Sequence, residues 1–455
     1  MKLLSMNDFS TGKYLALILV CNSVISIIIF SRLKIYYLLN PFVTAHAVLM
    51  SIFGLRPLVM RYPTDFAFYG LDSVTGFNSA VIAGLIGSIA LSLGFMLSRP
   101  SSRSDLIDPI LSKTRILSRA RAVSIIIMLI WVGFMVLLGG TAVLSLLLQG
   151  RSDELNANFR GVPILLQALP ASSFIIFSSS LLILGRFARI SRSNKVELIC
   201  LFLFTAAPSA LLGDRRIIFP MAICMLLVLL QQKRDFRVGI FSSLSFLVAG
   251  LILTIYPYVR SSGAREGVNL PTATYNFFRE NGVFNVFQGY LVKNDTEMFN
   301  YVSFLTSRVG AEFQFGYGRG TIIDLFREAL PSALEASNTW SDMILTKMFG
   351  EGCASGLCPV PSLVGVLFYD MGFLGVAGGF FLLGFLAKKY DGVVSVSSGF
   401  ILVSTLTFGV YSAVIVRGSS IAMIWIALNV IVLGHFGLKL VFRNTNLEPS
   451  RSDHR

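Results

Sequence analysis

The sequence has few charged residues and lacks the short motifs of several soluble enzyme classes. Only 14% of its 455 residues are charged and 54% are hydrophobic, whereas about one quarter of a soluble domain is charged. It contains no phosphate-binding G-x-x-x-x-G-K-[ST] loop, no H-E-x-x-H and no G-x-S-x-G. Because a soluble nucleotide-binding domain is also missing, we expect neither ATP-driven transport nor sugar transfer from cytosolic nucleotide donors.

Cysteine and histidine are also scarce. Cys353 and Cys358 lie close together in a long polar stretch, where a disulfide and two free thiols both remain open. No C-x-x-C pair with zinc spacing is present, so we expect no metal site and no cofactor. None of the three histidines lies in the polar stretch, which excludes a catalytic imidazole supplied by it; they are His46, His435 and His454.

Long apolar runs dominate the chain and predict an all-α polytopic membrane protein. Runs of about 17–25 apolar residues predict about 11 transmembrane helices, with a range of about 10–13. The predicted spans are Tyr14–Phe30, Ile35–Leu55, Phe77–Leu97, Ala122–Gly140, Val162–Leu184, Val196–Gly213, Ile217–Gln232, Val238–Val259, Leu363–Ala387, Val396–Val416 and Ile421–Leu438. The predicted organisation is a first transmembrane bundle (1–259), a large loop (260–361), C-terminal transmembrane helices (362–440) and a tail (441–455).

The positive charge is concentrated on one predicted side of the membrane. The net charge is +14, and Lys and Arg crowd the links after the third, fifth, seventh and ninth spans and the tail. These five segments fall on the same side, which the positive-inside rule makes cytoplasmic. We therefore expect a multi-pass protein of a bacterial inner membrane with a periplasmic loop, and no nucleic-acid partner.

The N-terminus disagrees with this topology. Lys2 and Lys13 look cytoplasmic, yet eleven full crossings place them outside. Either the segment Ile35–Leu55, which contains Asn40-Pro41, re-enters without crossing, or two lysines are too weak to set the orientation. The sequence leaves both alternatives open.

The large loop, Arg260 to Pro361, has a composition that argues against disorder. Asn294-Asp295-Thr296 can cap a short helix that begins near Met298. Thr321 with Asp324 resembles an acidic capping box ahead of a second short helix. These helices could form a cap on the membrane surface or a lid over a substrate cavity; we favour the lid.

Arginines at the expected outer mouths of the spans are the candidate anion-binding residues. A guanidinium captures phosphate in a bidentate manner and stays charged, although any single arginine at a span end could simply reach for the interface. The Arg215-Arg216 turn departs most clearly from the positive-inside trend. The candidates for binding a substrate diphosphate are Arg160, Arg215, Arg216, Arg260, Arg265 and Arg417.

Carboxylates near the loop are the candidate general acids or bases, since activating a sugar hydroxyl needs a carboxylate or imidazole within hydrogen-bond reach. Most of them are expected to be solvated loop residues. The candidates are Glu266, Asp295, Glu297, Glu312 and Asp370, and Glu266, Asp295 and Glu312 are the preferred catalytic choices.

Three segments resemble one enzyme family. The run from Cys358 through Tyr369-Asp-Met-Gly372 to Gly375 looks like the close of the large periplasmic loop in O-antigen (Wzy-type) polysaccharide polymerases, also called oligosaccharide repeat unit polymerases. The turn Gly213-Asp-Arg-Arg216 is similar to the arginine turn of that family, and Phe315-Gly-Tyr-Gly-Arg-Gly320 fits as well. The resemblance covers roughly the second half of the chain and the overall layout of spans.

The resemblance implies a GT-C-like membrane glycosyltransferase that needs neither metal nor nucleotide. Such an enzyme joins undecaprenyl-diphosphate-linked oligosaccharide repeat units into O-antigen or a related surface polysaccharide at the periplasmic face of the membrane. This reaction belongs to lipopolysaccharide biosynthesis. Carried over to this chain, Arg215, Arg216, Arg260 and Arg265 would hold diphosphates. The implied partners are the lipid-linked oligosaccharide, the bilayer and a chain-length regulator protein.

Three alternatives compete with the polymerase. The chain could be a flippase for the same lipid-linked oligosaccharides, an O-antigen ligase-like transferase or a non-catalytic assembly protein. Transporters often bury ionisable groups and contain repeated halves, whereas the span interiors here contain almost none and no repeat is visible. Ligases of this group are expected to use a loop histidine, and this loop contains none.

Overall fold

The computed structural model is helical over nearly all the residues that it describes. These are 6–31, 40–61, 64–68, 71–99, 113–137, 162–185, 190–211, 298–324, 340–349, 361–393, 411–418 and 421–442, with single positions at 218–229, 275 and 279. The helices are α1 (Met6–Ser31), α2 (Pro41–Leu49), α3 (Arg56–Val59), α4 (Phe77–Leu97), α5 (Lys113–Leu137), α6 (Val162–Gly185), α7 (Arg192–Leu211), α8 (Met298–Arg308), α9 (Trp340–Phe349), α10 (Leu363–Val393) and α11 (Ile421–Val441). A π-helical segment, Met50–Leu55, joins α2 to α3, and a small hairpin pairs Ala67–Phe68 with Leu71–Asp72.

The prediction of a helical protein with apolar helices of membrane-spanning length is confirmed, whereas the number of spans stays a prediction. Five of the described helical stretches are long and apolar enough to cross a bilayer, and two shorter apolar helices, Ala168–Leu182 and Ala427–Val441, lie where further spans are predicted. The five stretches are Ser10–Ile29, Pro41–Val59, Val74–Leu97, Arg115–Leu137 and Leu363–Lys389. The predicted span Val238–Val259 and the cysteines Cys353 and Cys358 lie outside the described residues.

Buried apolar side chains form two hydrophobic clusters. The first cluster joins α1, α2, α4, α8, α9 and α10 around residues such as Phe53, Phe77 and Phe299. The second cluster joins α5, α6, α7 and α11 around Phe174 and Phe177. The described part of the large loop therefore belongs to the first cluster and shares its core.

Contacts along α4 show how the helices of the first cluster run. Gly87 of α4 faces Phe380 of α10, and Gly384 of α10 faces Leu91 of α4, so the two helices are parallel. Asn22 of α1 donates to Ser88 of α4 at 2.8 Å. Further along, Ser26 and Ser92 lie 3.0 Å apart, so α1 is also parallel to α4.

The second predicted span, Pro41–Val59 in the structure, extends through the whole first cluster, which favours a full crossing over the re-entrant alternative. At one end Asn40 donates its side-chain amide to the carbonyl of Ala387, near the end of α10. At the other end Arg56 donates to Asn300 of the loop helix α8. A π-helical segment accommodates the close approach of Gly54 to Val20 and Leu19 without stopping the crossing. The start of α1 therefore lies on the same side of the cluster as α8, despite its lysines.

We call the two ends of the first cluster the loop end and the basic end. At the loop end, Ser303 and Thr306 of α8 donate hydrogen bonds to the carbonyls of Ser73 and Gly76, just before α4 begins. At the basic end, the ammonium groups of Lys388 and Lys389 lie over the rings of Phe95 and Phe385.

Helix α5 begins nine residues earlier than the predicted fourth span. The predicted span begins at Ala122 because basic residues precede it in the sequence, yet the helix begins at Lys113. Arg121 in this extension forms a bidentate ion pair with Glu197 of α7. A basic first turn is compatible with the helix because the side chains reach past the apolar region.

The predicted short helix near Met298 is confirmed as α8, but it is not peripheral. All residues from Met298 to Leu305 are buried, and Phe299 contacts both Phe53 and Phe77 edge-on. Its proposed cap, Asn294 to Thr296, lies outside the described residues. Within the described part of the loop, the packing favours a cap that is continuous with the bundle over a separate lid.

Candidate functional site at the break in α10

Helix α10 is interrupted directly after its eighth residue, Asp370. Met371 has φ −145° and ψ 23°, and Gly372 has φ 60° and ψ −146°, so neither is helical. A positive φ with this ψ is readily adopted only by glycine. The Tyr369-Asp-Met-Gly372 sequence therefore ends one helical piece and begins another, and the break frees backbone carbonyls that need partners.

A segment of the large loop supplies those partners. The N–H of Gly316 donates to the carbonyl of Tyr369 at 2.9 Å, and the N–H of Tyr317 donates to the carbonyl of Asp370 at 3.0 Å. Two of the segments that carry the family resemblance, Phe315–Gly320 and Tyr369–Gly372, therefore meet through their backbones. We call this contact the break site.

The side chain of Asp370 holds the same loop segment from the other direction. Its two carboxylate oxygens accept hydrogen bonds from the N–H groups of Gly320 and Thr321, both at 2.8 Å. Asp370 is only 2% exposed. Because both oxygens accept backbone N–H groups, Asp370 acts as a clamp on the loop, and a role as general base is not supported.

The predicted capping box of Thr321 and Asp324 is wrong. In such a box the acidic side chain binds the N–H of the capping residue, but the N–H of Thr321 binds Asp370. Asp324 is fully buried, and its carboxylate accepts from the N–H of Trp340, where α9 begins. The chain forms a π-helical turn, Arg319–Ile323, at this place. Asp324 thus links that turn to a helix sixteen residues further on.

Three aromatic rings tie α8, α9 and α10 together beside the break site. Trp340 stacks on Tyr369 with 4.3 Å between ring centroids, and it lies nearly parallel to Tyr301 at 6.3 Å. The Tyr301 hydroxyl and the Ser341 hydroxyl are 2.7 Å apart. All three rings are buried, so this stack stabilises the loop and offers no surface on which a sugar could stack.

Charges converge on the edge of this stack. Arg319, Asp324 and Asp370 all lie close enough to Tyr369 to act on it electrostatically. Arg319 also places a guanidinium nitrogen 3.7 Å from the sulfur of Met343. The break site therefore combines one cation with two buried carboxylates, both of which already accept backbone hydrogen bonds.

Glycine is required on the loop side of the break site. A Cβ at Gly316 would collide with the Tyr369 ring and with the Asp370 carboxylate. Gly318 has φ 92° and Tyr317 has φ 48°, so the chain turns through two consecutive left-handed residues. Such a conformation at a non-glycine residue is uncommon and occurs mainly where the surrounding contacts impose it.

Two polar groups in the interior of the first cluster also stand out. His46 is fully buried, with Ser23 and Ser88 at 3.3 and 3.2 Å from Nδ1 and Ser92 at 3.2 Å from Nε2. Arg56 is 1% exposed and donates to Asn300, whose amide donates to the carbonyl of Asp65. These groups link α1, α2, α3, α4 and α8, and both are more deeply buried than Arg417, the one arginine selected from the sequence that the structure describes.

Only two of the preferred site residues lie among the described ones. Glu312 is half exposed and pairs with Arg308, four residues earlier, at 2.7 Å. Arg417 lies in the helical residues 411–418. In this segment the hydroxyl of Ser412 is 2.6 Å from that of Thr44, and Thr44 is one turn from Asn40 at the basic end of the first cluster. This segment is therefore attached to the first cluster away from its loop end. The others lie outside the described residues; they are Arg160, Arg215, Arg216, Arg260, Arg265, Glu266 and Asp295, together with Glu297.

The sequence contained signals for some site residues that were not among the preferred candidates. Arg319 stands within the Phe315–Gly320 run, and the Tyr369–Gly372 run combines an acid with a glycine inside an apolar span, which is costly unless the acid has partners. Nothing in the spacing indicated that the two runs, fifty residues apart, meet. Arg56 follows directly after a predicted apolar span and resembles any interfacial arginine.

No protein-family model, curated protein or solved structure matches this chain.

Proposed function

We propose that this protein is a membrane polymerase that joins undecaprenyl-diphosphate-linked oligosaccharide repeat units at the outer face of a bacterial inner membrane. The observation that carries the proposal is the break site. Two segments that separately resemble polysaccharide polymerases are held against each other by three hydrogen bonds of 2.8–3.0 Å, and the adjoining Thr321 donates a fourth at 2.8 Å. If the resemblance were accidental, there would be no reason for the two segments to be in contact.

The position of the break site fits a lipid-linked substrate. The parallel register of α4 against α10, in which Gly87 faces Phe380, brings the break site close to the start of α4. It therefore lies at the loop end of helices that are long enough to cross a bilayer. A diphosphate carried on a polyprenyl chain lies at this depth, because the chain stays in the lipid while the charged group stays at the interface. The proposed protein is GT-C-like in this arrangement, with a loop-side site above a helical bundle.

The proposed roles of individual residues rest on the sequence. Arg215, Arg216, Arg260 and Arg265 would hold the diphosphates of donor and acceptor, since guanidinium groups form paired hydrogen bonds with phosphate. The growing chain would move from its lipid carrier to the terminal hydroxyl of the next unit, with undecaprenyl diphosphate as the leaving group. Asp370 would hold the loop in place, and Glu266, Asp295 and Glu312 remain the candidates for accepting the hydroxyl proton.

Chain lengthening in membrane vesicles tests the proposal. Vesicles that contain the wild-type protein and purified lipid-linked repeat units are expected to produce longer lipid-linked saccharides, resolved by gel electrophoresis. Arg215→Ala and Arg265→Ala should each reduce lengthening by about 100-fold or more, because one lost transition-state contact to a charged group costs about 3 kcal/mol. Arg115→Ala is the matched control at the opposite predicted side.

Other outcomes would point to other functions. Full lengthening by both arginine variants would refute the assigned site. Movement of the lipid-linked unit across the bilayer without lengthening would favour the flippase, and transfer to a lipid A acceptor would favour the ligase-like transferase. Labelling of introduced cysteines with an impermeant reagent tests the orientation: position 262 should react from outside and position 101 should not, and the reverse would overturn the orientation.

A further inference from the structure

The loop turn at the break site has an exposed apolar edge. Ile322 and Ile323 of the π-helical turn are 58% and 56% exposed, and Tyr317 is 77% exposed. Single exposed apolar residues are common, but two adjacent isoleucines and a tyrosine in one turn form a patch. The fold holds this turn in place, since Asp370 clamps Gly320 and Thr321 directly before the isoleucines.

The patch continues a lipid-facing stripe on α10. Residues spaced three or four apart on the second piece of this helix are exposed, as expected for one face of a membrane span. They are Met371, Leu374, Gly378, Leu382 and Leu386. Leu374 is 81% exposed and Met371 is 60% exposed. Because Met371 lies in the break, the stripe ends where the π-helical turn is attached.

The length of α10 places the break at the edge of the hydrocarbon. Lys388 and Lys389 mark the basic end of the span. A helix rises about 1.5 Å per residue, so Met371 lies about 26 Å from Lys388 along the helix. The hydrocarbon core is about 30 Å thick, and a tilt of the helix only shortens the distance across it. The bilayer therefore extends to the break or slightly beyond it.

We propose that the turn formed by Tyr317 and Arg319–Ile323 is inserted into the membrane–water interface at the loop end of the protein, with Ile322 and Ile323 in contact with lipid acyl chains. The occupant of the patch is bilayer lipid, because the patch continues the lipid-facing stripe at the depth where the bilayer ends. Tyrosine and arginine at the same turn suit this depth, since their apolar parts lie in lipid while their polar ends reach water. The insertion does not depend on which reaction the protein catalyses.

Depth-dependent fluorescence quenching tests the insertion. The full-length protein carries an environment-sensitive fluorescent amino acid at one position at a time, in place of Ile322, Ile323, Leu374 or Glu312, and is reconstituted into phospholipid vesicles. Leu374 is the lipid-exposed reference. Glu312 is the control in the same loop, since its side chain is 51% exposed and carries a charge.

Lipids that are brominated near the headgroup end of the acyl chain should quench more than about half of the fluorescence of probes at positions 322 and 323. The reason is that the apolar side of an interfacial segment lies about 5–10 Å inside the boundary between headgroups and acyl chains. The probe at position 312 should respond to aqueous iodide instead. Quenching of both isoleucine probes by iodide alone would overturn the proposal, because the patch would then face water. Quenching by neither agent would also overturn it, because protein would then cover the patch. Both results would leave the polymerase proposal intact.

Discussion

One helix pair in each hydrophobic cluster, α4 with α10 in the first and α5 with α6 in the second, is held together by a different kind of contact. In the first, glycines let backbones touch: Gly94 of α4 and Gly384 of α10 each face the backbone of the other helix. In the second, Ser124 of α5 and Ser173 of α6 exchange hydrogen bonds, each hydroxyl donating to the other residue's carbonyl at 3.1 Å. Both devices are typical of helices in lipid, where apolar burial alone gives little driving force between helices.

These two kinds of contact predict where the molecule tolerates substitutions. When helix backbones in direct contact are forced apart, the segments attached to those helices are displaced with them. The break site is attached to α10 and would be displaced in this way. A hydroxyl that loses its partner can return to a carbonyl of its own helix, as Ser172 and Ser180 already do. We therefore expect larger losses from substitutions in the first cluster than in the second.

The largest loss is expected from Asp370→Asn. The amide can accept one of the two N–H groups but presents its own NH₂ group to the other, so a buried donor is left without an acceptor. The free energy of unfolding in detergent should fall by about 3–5 kcal/mol, and proteolysis in the segment around Gly316 should become faster. Glu312→Gln is the matched control: its exposed pair with Arg308 is worth about 0.3–0.5 kcal/mol. Equal effects of the two substitutions would show that Asp370 is not a clamp.

The same residue shows how far sequence reasoning extends. Apolar length and periodicity predicted the span that contains Asp370 and the start of α4 at Phe77, because both properties are local to the segment. The sequence also marked the Gly-rich run near Arg319 and the acid at Asp370. Their contact could not be predicted, because it depends on a helix break and on pairing between residues fifty positions apart. Likewise, Asp324 was assigned a local partner, whereas it caps a helix further along the chain.

A smaller loss is expected from Gly384→Ala. The added methyl group would meet the carbonyl of Leu91 and the N–H of Phe95, which are backbone atoms and cannot rotate away. Separating α4 from α10 should cost about 2–3 kcal/mol in the free energy of unfolding. Gly378→Ala is the control in the same helix, because its methyl group would meet nothing within 4 Å. That substitution should be neutral or stabilise by up to about 1 kcal/mol. Thermal unfolding in one detergent compares the pair, and a stable Gly384→Ala variant would contradict the close contact.

The polar groups inside the two clusters allow a narrower comparison. His46→Leu retains the volume of the side chain and removes the acceptor and donor that join three serines of α1 and α4. The loss should be about 1–2 kcal/mol, since Ser23 and Ser88 still reach each other at 3.2 Å. Ser173→Ala in the second cluster removes one of two hydrogen bonds and should cost about 0.6 kcal/mol. If Ser173→Ala proves the more costly of the two, the serines of the second cluster are not dispensable and the proposed contrast fails.

The smallest effect is expected from the ion pair between α5 and α7 in the second cluster. Arg121 and Glu197 form a bidentate pair between α5 and α7, but their side chains are 42% and 32% exposed. Water and salt screen such a pair, and exposed pairs contribute about 0–1 kcal/mol. Arg121→Gln should therefore lower the unfolding temperature slightly at low salt and not measurably at about 1 M salt, where the Debye length is about 3 Å. A loss that is large and independent of salt would mean that this pair lies in a low-dielectric environment and holds α5 against α7 as firmly as the glycines hold α4 against α10.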